Sequence, residues 1–243
     1  MRYLMSFSYD GASFNGFQRQ KDLVTVQGVL EDLLTEVNNY KKVELVASGR
    51  TDKGVHARSQ VAHFDLDVDV KLYSLIKFLN KRCKGSIYVT DIKIVNNDFH
   101  ARYLVKNKVY KYYINVGKFN PFMRDYIYQY NKNLDFLLMK DALNVFLGEH
   151  DFRSFCMNEK EKENCVRTIY SVNIENIKDV ICITFCGNGF LRKMVRNMVG
   201  LLIEVGAYKK SVMDVYEILA SKGAIHNKKC VPPSGLYLDR VNY

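Results

Sequence analysis

The chain has 243 residues, 48% of them hydrophobic and 26% charged, with a formal net charge of +10. That length leaves room for a substantial core in one large domain or two closely packed halves, and the charge excess points to nucleic acid first and an anionic membrane surface second. No apolar run reaches the ~18 residues of a membrane-spanning helix, and the N-terminus reaches Asp10 without the apolar core of a secretion signal.

In chain order, residues 3–9 form the first predicted strand. Val26, Val29, Leu30, Leu33, Leu34 and Val37 recur at helical spacing behind Thr25, which predicts an N-capped helix. Residues 43–47 and 60–66 read as strands, and Leu72, Leu75, Ile76 and Leu79 mark a second helix. Strands follow over 87–95 and 109–116, and then a third helix marked by Leu138, Ala142, Val145 and Phe146, which Gly148 can end. Residues 168–174 and 180–185 are strands. A fourth helix runs from Phe190 to about Val205, Ser211 caps a fifth that runs to about Ser221, and 236–241 is a final strand. The charged run at 159–163 carries both signs and reads as a solvated loop. Strands and helices interleave without a strict β-α-β rhythm, which predicts an α+β fold with a largely antiparallel sheet flanked by helices. The order strand, helix, strands, helix, strand recurs about once in each half, near 1–102 and 103–243. Two related halves sharing one sheet in a single domain are therefore expected. Cys83, Cys156, Cys165, Cys182, Cys186 and Cys230 show no C-x-x-C spacing. They read as buried free thiols of a reduced, cytoplasmic protein.

Three constellations carry chemistry. Ser48-Gly49-Arg50-Thr51-Asp52-Lys53-Gly54-Val55-His56-Ala57 holds one carboxylate between two cations, with a glycine on either side. Glycine permits a tight turn and close approach of a ligand, and nearby opposite charge favours an ionised carboxylate. Asp52 is a candidate nucleophile or base on an exposed turn; a solvated Asx turn is the alternative. On the fourth helix, Leu191, Met194, Val195, Met198, Val199, Leu202 and Ile203 make a wide apolar stripe. Arg192 and Arg196, four residues apart, are expected to share a face beside it, as a platform for charge or a solvated basic face. In Lys106-Asn107-Lys108-Val109-Tyr110-Lys111-Tyr112-Tyr113, strand alternation puts Tyr110 and Tyr112 on one side and Val109, Lys111 and Tyr113 on the other. Aromatics among cations suit unpaired RNA bases and phosphates; a half-buried strand with solvated lysines is the alternative. The histidines show no helical metal spacing. His63 in its alternating strand reads as structural, and His100 and His150 read as loop braces.

SGRTDKGVHA resembles the active-site loop of the tRNA pseudouridine synthase family, in its TruA-like branch. Six further blocks agree with that family in order: Tyr9-Asp10-Gly11 with FNGFQRQ and TVQ, then FHAR from Phe99, KNKVYKYY from Lys106, GEHDFRSF from Gly148, GNGFLRKMVRNMVG from Gly187 and PPSGLYL from Pro232. The family often has Trp where this chain has Phe17, and Asn97 and Asp98 depart from its usual pattern. The resemblance implies the pseudouridine synthase fold and an enzyme that isomerises uridine to pseudouridine in the anticodon arm of tRNA, at positions 38–40, without cofactor or metal. It implies that Asp52 is the catalytic nucleophile, that Arg196 pairs with it, and that Tyr110 stacks on the target base, with Arg50 and Leu236 also in contact with substrate. It further implies a homodimer with RNA lying across both subunits. Whether Asp52 attacks C1′, attacks the base or abstracts a sugar proton stays open at this level. A base paired in a stem has to be flipped out to react. Arg58, Lys81, Arg82, Lys84, Lys108, Lys111, Arg192, Lys209 and Lys210 are the candidates for gripping the distorted backbone. The competing reading is a non-catalytic RNA-binding protein that uses the same basic and aromatic surface. A hydrolase with an Asp nucleophile is weaker, for want of a second carboxylate close in sequence.

Overall fold

The computed structural model describes residues 1–157, 164–227 and 229–243. The charged run at 159–163, read as a loop, lies outside the described residues. In chain order the elements are β1 (Arg2–Tyr9), α1 (Val26–Val37), β2 (Val46–Ala47), β3 (His56–Asp65), α2 (Leu72–Arg82), β4 (Ile87–Val95), β5 (Asn107–Asn115), β6 (Tyr128–Gln129), α3 (Phe136–Asn144), β7 (Gly148–Asp151), β8 (Val166–Ile177), β9 (Val180–Gly187), α4 (Met194–Gly206), α5 (Val212–Ala220) and β10 (Leu236–Asn242). The fold is α+β, with strand pairing that is mostly antiparallel. The chain forms two compact units, one of Met1–Lys106 with Tyr237–Tyr243 and one of Asn107–Leu236.

In the first unit the strands run in the order β4-β1-β3-β10, with β2 also paired to β3. The central β1 sends Tyr3, Met5 and Phe7 into the core, and Tyr3 stacks on Phe64 with ring centroids 5.5 Å apart. Leu30 and Leu34 of α1 and Leu75 and Leu79 of α2 are buried as the periodicity requires. Each such side chain contributes roughly 1.5–3 kcal/mol when fully removed from water. Thr25 caps α1, its side chain accepting from the Gly28 N–H at 3.2 Å. The strand expected over 43–47 shrinks to Val46–Ala47. The reason is local: the Val43 N–H donates to Thr35 Oγ1 (3.1 Å) and the Leu45 N–H to Glu31 Oε1 (3.0 Å), so α1 side chains take the bonds that a strand partner would. β3 starts four residues earlier than the alternation suggested, because His56 and Ala57 pair in parallel with Tyr237 and Leu238.

In the second unit the order is β5-β9-β8-β7, with the two-residue β6 beside β5. Ile181, Ile183 and Phe185 of β9 face the core, and α4 is buried along most of its length. Ser211 caps α5 in a reciprocal capping box with Asp214. Sequence alternation missed β6 and β7. Gly148, expected to end α3, instead opens β7 with φ +97°, while α3 stops at Asn144. The expectation of buried thiols holds for Cys83, Cys156 and Cys165. It fails for Cys182 and Cys186, which lie half-buried on the face of β9 opposite Ile181, Ile183 and Phe185, and for Cys230, which is exposed in a loop. The fourth helix begins at Met194 rather than Phe190. Lys193 sits in the left-handed region (φ 63°) and Met194 N–H turns back to Leu191 O (3.1 Å), so residues 191–193 are a turn. Arg192 therefore precedes the helix and does not stand one helical turn before Arg196 on a common face.

Candidate active site

In the first unit, the loop of residues 48–55 joins β2 to β3, and side chains from distant parts of the chain hold it. The Ser48 N–H donates to Val61 O (2.8 Å), and its hydroxyl donates to Gln60 Oε1 (2.7 Å). Gln60 Nε2 donates to Gly49 O (3.0 Å). The Thr51 hydroxyl shares a hydrogen bond with the Tyr9 hydroxyl (2.8 Å), and Thr51 O accepts the Phe17 N–H (3.1 Å). The Val55 N–H closes onto Asp52 O (3.2 Å), in a turn that Gly54 completes with φ +78°. The Asp52 side chain is half-exposed at the end of these constraints. Gly11 explains the Tyr9-Asp10-Gly11 block: a Cβ there would stand 2.1 Å from Val55 O, and the Gly11 N–H donates to His56 Nδ1 (3.0 Å). Burial pushes the Tyr9 phenol up to about 12, so it stays protonated across the neutral range.

The predicted contact residues of this unit have defined partners. Arg50 is exposed, and its Nη1 donates to Gln18 Oε1 (2.9 Å), which ties the loop to residues 14–20. Arg58 pairs with Asp239 (3.2 Å) and lies 5.0 Å above the Tyr237 ring, on which His56 also stacks. Arg82 at the end of α2 pairs with Glu36 (2.9 Å), while Lys81 and Lys84 beside it are exposed. His63 and His100 are structural, as expected. The His63 Nδ1 accepts the Ala101 N–H (3.1 Å), and the His100 Nδ1 accepts those of Arg102 and Tyr103. Burial first, then the nearby Arg2 and His100 charges, push His63 down to about 4.

In the second unit, Arg196 lies one turn into α4. Its Nε donates to Val231 O (2.8 Å), fixing the guanidinium stem against the segment 229–232. That segment sits close on the helix: a Cβ at Gly200 would come within 1.9 Å of Lys229 O, and Asn227 Nδ2 donates to Asn197 O. Pro232 O accepts the Tyr112 hydroxyl (2.7 Å), and burial raises that phenol well above its ordinary value, with the Arg196 charge opposing the shift. Tyr110 shares its strand face with Tyr112. Its ring meets Phe190 edge-on at 5.0 Å, so the half-buried phenol is held from the side while it stays partly open. Leu236 is buried at the end of the turn Pro233–Gly235. A Cβ at Gly235 would meet Tyr113 O at 2.6 Å, which accounts for that glycine. Lys108 is half-buried on β5. Lys111 shares the opposite face of the sheet with Cys182, away from Tyr110. Lys210 pairs with Asp214 (3.2 Å), whereas Lys209 and Arg192 are exposed.

The structure thus groups Arg50 with Asp52 on one braced loop, and Tyr110, Tyr112, Arg196 and Val231 around β5 and α4. It sets Lys111 apart from Tyr110. Sequence reasoning did not single out Gln60, Tyr9 as a partner of Thr51, Phe190, or the Val231 carbonyl. Of these only Tyr9 and Phe190 fell inside a recognised block. A lone Gln in a strand and a backbone carbonyl leave no sequence signal.

The first unit thus presents a half-exposed carboxylate on a braced loop, and the second carries a helix-borne arginine and a strand-borne tyrosine; the family match assigns the α+β fold to the pseudouridine synthase class. A family model described as tRNA pseudouridine synthase matches residues 5–104 and 142–243. The chain belongs to the tRNA pseudouridine synthase family, and with it to the enzymes that isomerise uridine in tRNA. Curated relatives called tRNA pseudouridine synthase A are similar from end to end. That of Listeria monocytogenes serotype 4a is 40% identical over 245 residues, covering 100% of this chain and 99% of its own. That of Lactobacillus acidophilus is 41% identical over 246 residues (100% and 94%). That of Pseudothermotoga lettingae is 39% identical over 244 residues (100% and 99%). No helix among the described residues is long and apolar enough to cross a membrane.

Proposed function

We propose that this chain converts uridine to pseudouridine in the anticodon arm of tRNA, at positions 38–40, with Asp52 as the nucleophile. The observation that carries the reading is the braced 48–55 loop, which holds a half-exposed Asp52 at a fixed height in a block that matches the family. In the reaction the C1′–N1 bond breaks, the uracil turns, a C1′–C5 bond forms, N1 takes up a proton and C5 releases one. Atoms and electrons balance without a redox partner. Tyr110 stacks on the uracil, with Leu236 an apolar neighbour of the base. Arg196, fixed through Val231, supplies positive charge for the charged species of the reaction. Arg50, anchored by Gln18, supports the loop from the solvent side.

The exposed cations Lys81, Lys84, Arg192 and Lys209 are the strongest candidates for phosphate contact. Arg58, Arg82 and Lys210 already pair with a carboxylate, which offsets part of the charge each offers a phosphate. Lys108 and Lys111 on β5 complete the set, Lys111 serving a separate face. The enzyme acts as a cytoplasmic homodimer with RNA crossing both subunits, in line with its family.

Tritium release from tRNA labelled at uridine C5, followed by mapping of the modified nucleotide, tests the reading. Release confined to the anticodon arm supports it. Binding of tRNA without release, at any position, points to a non-catalytic RNA-binding protein.

A further inference from the structure

We propose that Gln60 and Tyr9 are positioning residues that set the height and orientation of Asp52, an inference that rests on the reading of Asp52 as nucleophile. Gln60 is completely buried, on β3 beneath the loop. An amide side chain there has two acceptor sites and two N–H donors to satisfy, and three of the four have protein partners. Its Oε1 accepts from the Ser48 hydroxyl (2.7 Å) and the Val61 N–H (3.1 Å), while Nε2 donates to Gly49 O (3.0 Å). Tyr9, buried on β1, shares a hydrogen bond with Thr51 Oγ1 at 2.8 Å.

Two buried side chains on neighbouring strands therefore grip Ser48, Gly49 and Thr51, three of the four residues that lead into Asp52. On the other side of the loop, the Phe17 N–H holds Thr51 O. The core does not need this amide. An apolar side chain of similar volume would occupy the same space, and the loss would fall on the amide's partners Ser48 and Gly49. Two of the amide's three bonds, to Ser48 and Gly49, run into the loop, so what they specify is the loop's conformation. Loop position matters most in the reacting complex, where misplacement of about 1 Å can cost on the order of a hundredfold in rate. Phosphate contacts by surface cations, by contrast, are indifferent to it.

The test compares Gln60→Met, Tyr9→Phe and Ser48→Ala with the native chain, measuring single-turnover pseudouridine formation, KM, tRNA affinity, and amide hydrogen exchange at Thr51 to Val55. Gln60→Met is expected to lower kcat by roughly ten- to a hundredfold, with KM and tRNA affinity within about twofold of native, and to speed exchange in the loop. Tyr9→Phe and Ser48→Ala, which each remove one hydroxyl, are expected to act in the same direction more weakly. They carry the test if Gln60→Met does not fold. Native kcat in the folded variants, or equal losses in kcat and tRNA affinity, would overturn the proposal. If the native chain binds tRNA but forms no pseudouridine, the reading of Asp52 fails instead, and unchanged loop exchange in the variants would then remove the positioning role as well.

Discussion

Asp52 and Arg196 are held in opposite ways. Asp52 rides on a loop whose own residues make only a tight turn; its fixed points are Tyr9, Phe17 and Gln60, brought from three other places in the chain. Arg196 rides on α4, a helix with Met194, Met198, Val199 and Leu202 fully buried, and its Nε donates to Val231 O. The loop depends on polar bonds with strict geometry, and the helix depends on burial, which tolerates small adjustments. A carboxylate that reacts has to be aimed, whereas a charge that stabilises has to be near and rigid. The two modes of support suit the two roles proposed for these residues.

The largest effect outside Asp52 itself is expected at that helix. Arg196→Ala should cut single-turnover rate by roughly a hundred- to a thousandfold, with Arg196→Lys recovering little because a lysine lacks the planar fork whose Nε–H bonds Val231 O. Full activity in Arg196→Ala would break the comparison at its helix end. Gly11→Ala is aimed at the loop end. The added Cβ meets Val55 O at 2.1 Å, so backbone must move, at a cost of about 1–3 kcal/mol. The rate should fall beyond what the lower melting temperature explains, and a melting shift with native rate in the folded protein would contradict the dependence on loop geometry.

His63 sharpens the contrast between stability and catalysis in the first unit. Its pKa falls to about 4 in the folded chain, against about 6.5 unfolded. The unfolded state therefore binds the extra proton between these values, and stability is complete above about pH 6.5 and drains as pH falls toward 4. Denaturant midpoints from pH 7 to 4 should show a shallower decline in His63→Gln than in the native chain. An equal slope would remove His63 as the cause. The smallest effects belong to single cations. Lys81→Ala, Lys84→Ala or Lys209→Ala should each weaken tRNA binding and lower the salt slope by at most about one, leaving single-turnover rate at saturating tRNA unchanged. A rate loss with the salt slope intact would take that lysine out of the phosphate set.

Much of this was legible in the sequence, and the limits follow from the same contrast. Periodicity located α1, α2 and α5, and the caps of α1 and α5, because a helix buries one face and Thr25 and Ser211 bond locally. β4 was read to the residue. What failed was whatever depends on distant partners. Residues 43–45 carry strand-like side chains, yet their backbone bonds go to Thr35 and Glu31. The start of α4 depends on the left-handed Lys193, which no apolar pattern predicts. For the candidate site, the charged residues and the aromatic of the RNA-like strand stood out by type. Their supports, Gln60 and the Val231 carbonyl, did not, since a buried amide or a backbone oxygen looks ordinary until the chain has folded around it.

The most direct measurement is tritium release from C5-labelled tRNA by the native chain and by Asp52→Ala, each with tRNA affinity determined in parallel. Release by the native chain and none by Asp52→Ala, at near-native affinity for tRNA, is the predicted result. Product formation by Asp52→Ala at the native rate would contradict the central claim that this braced carboxylate performs the reaction.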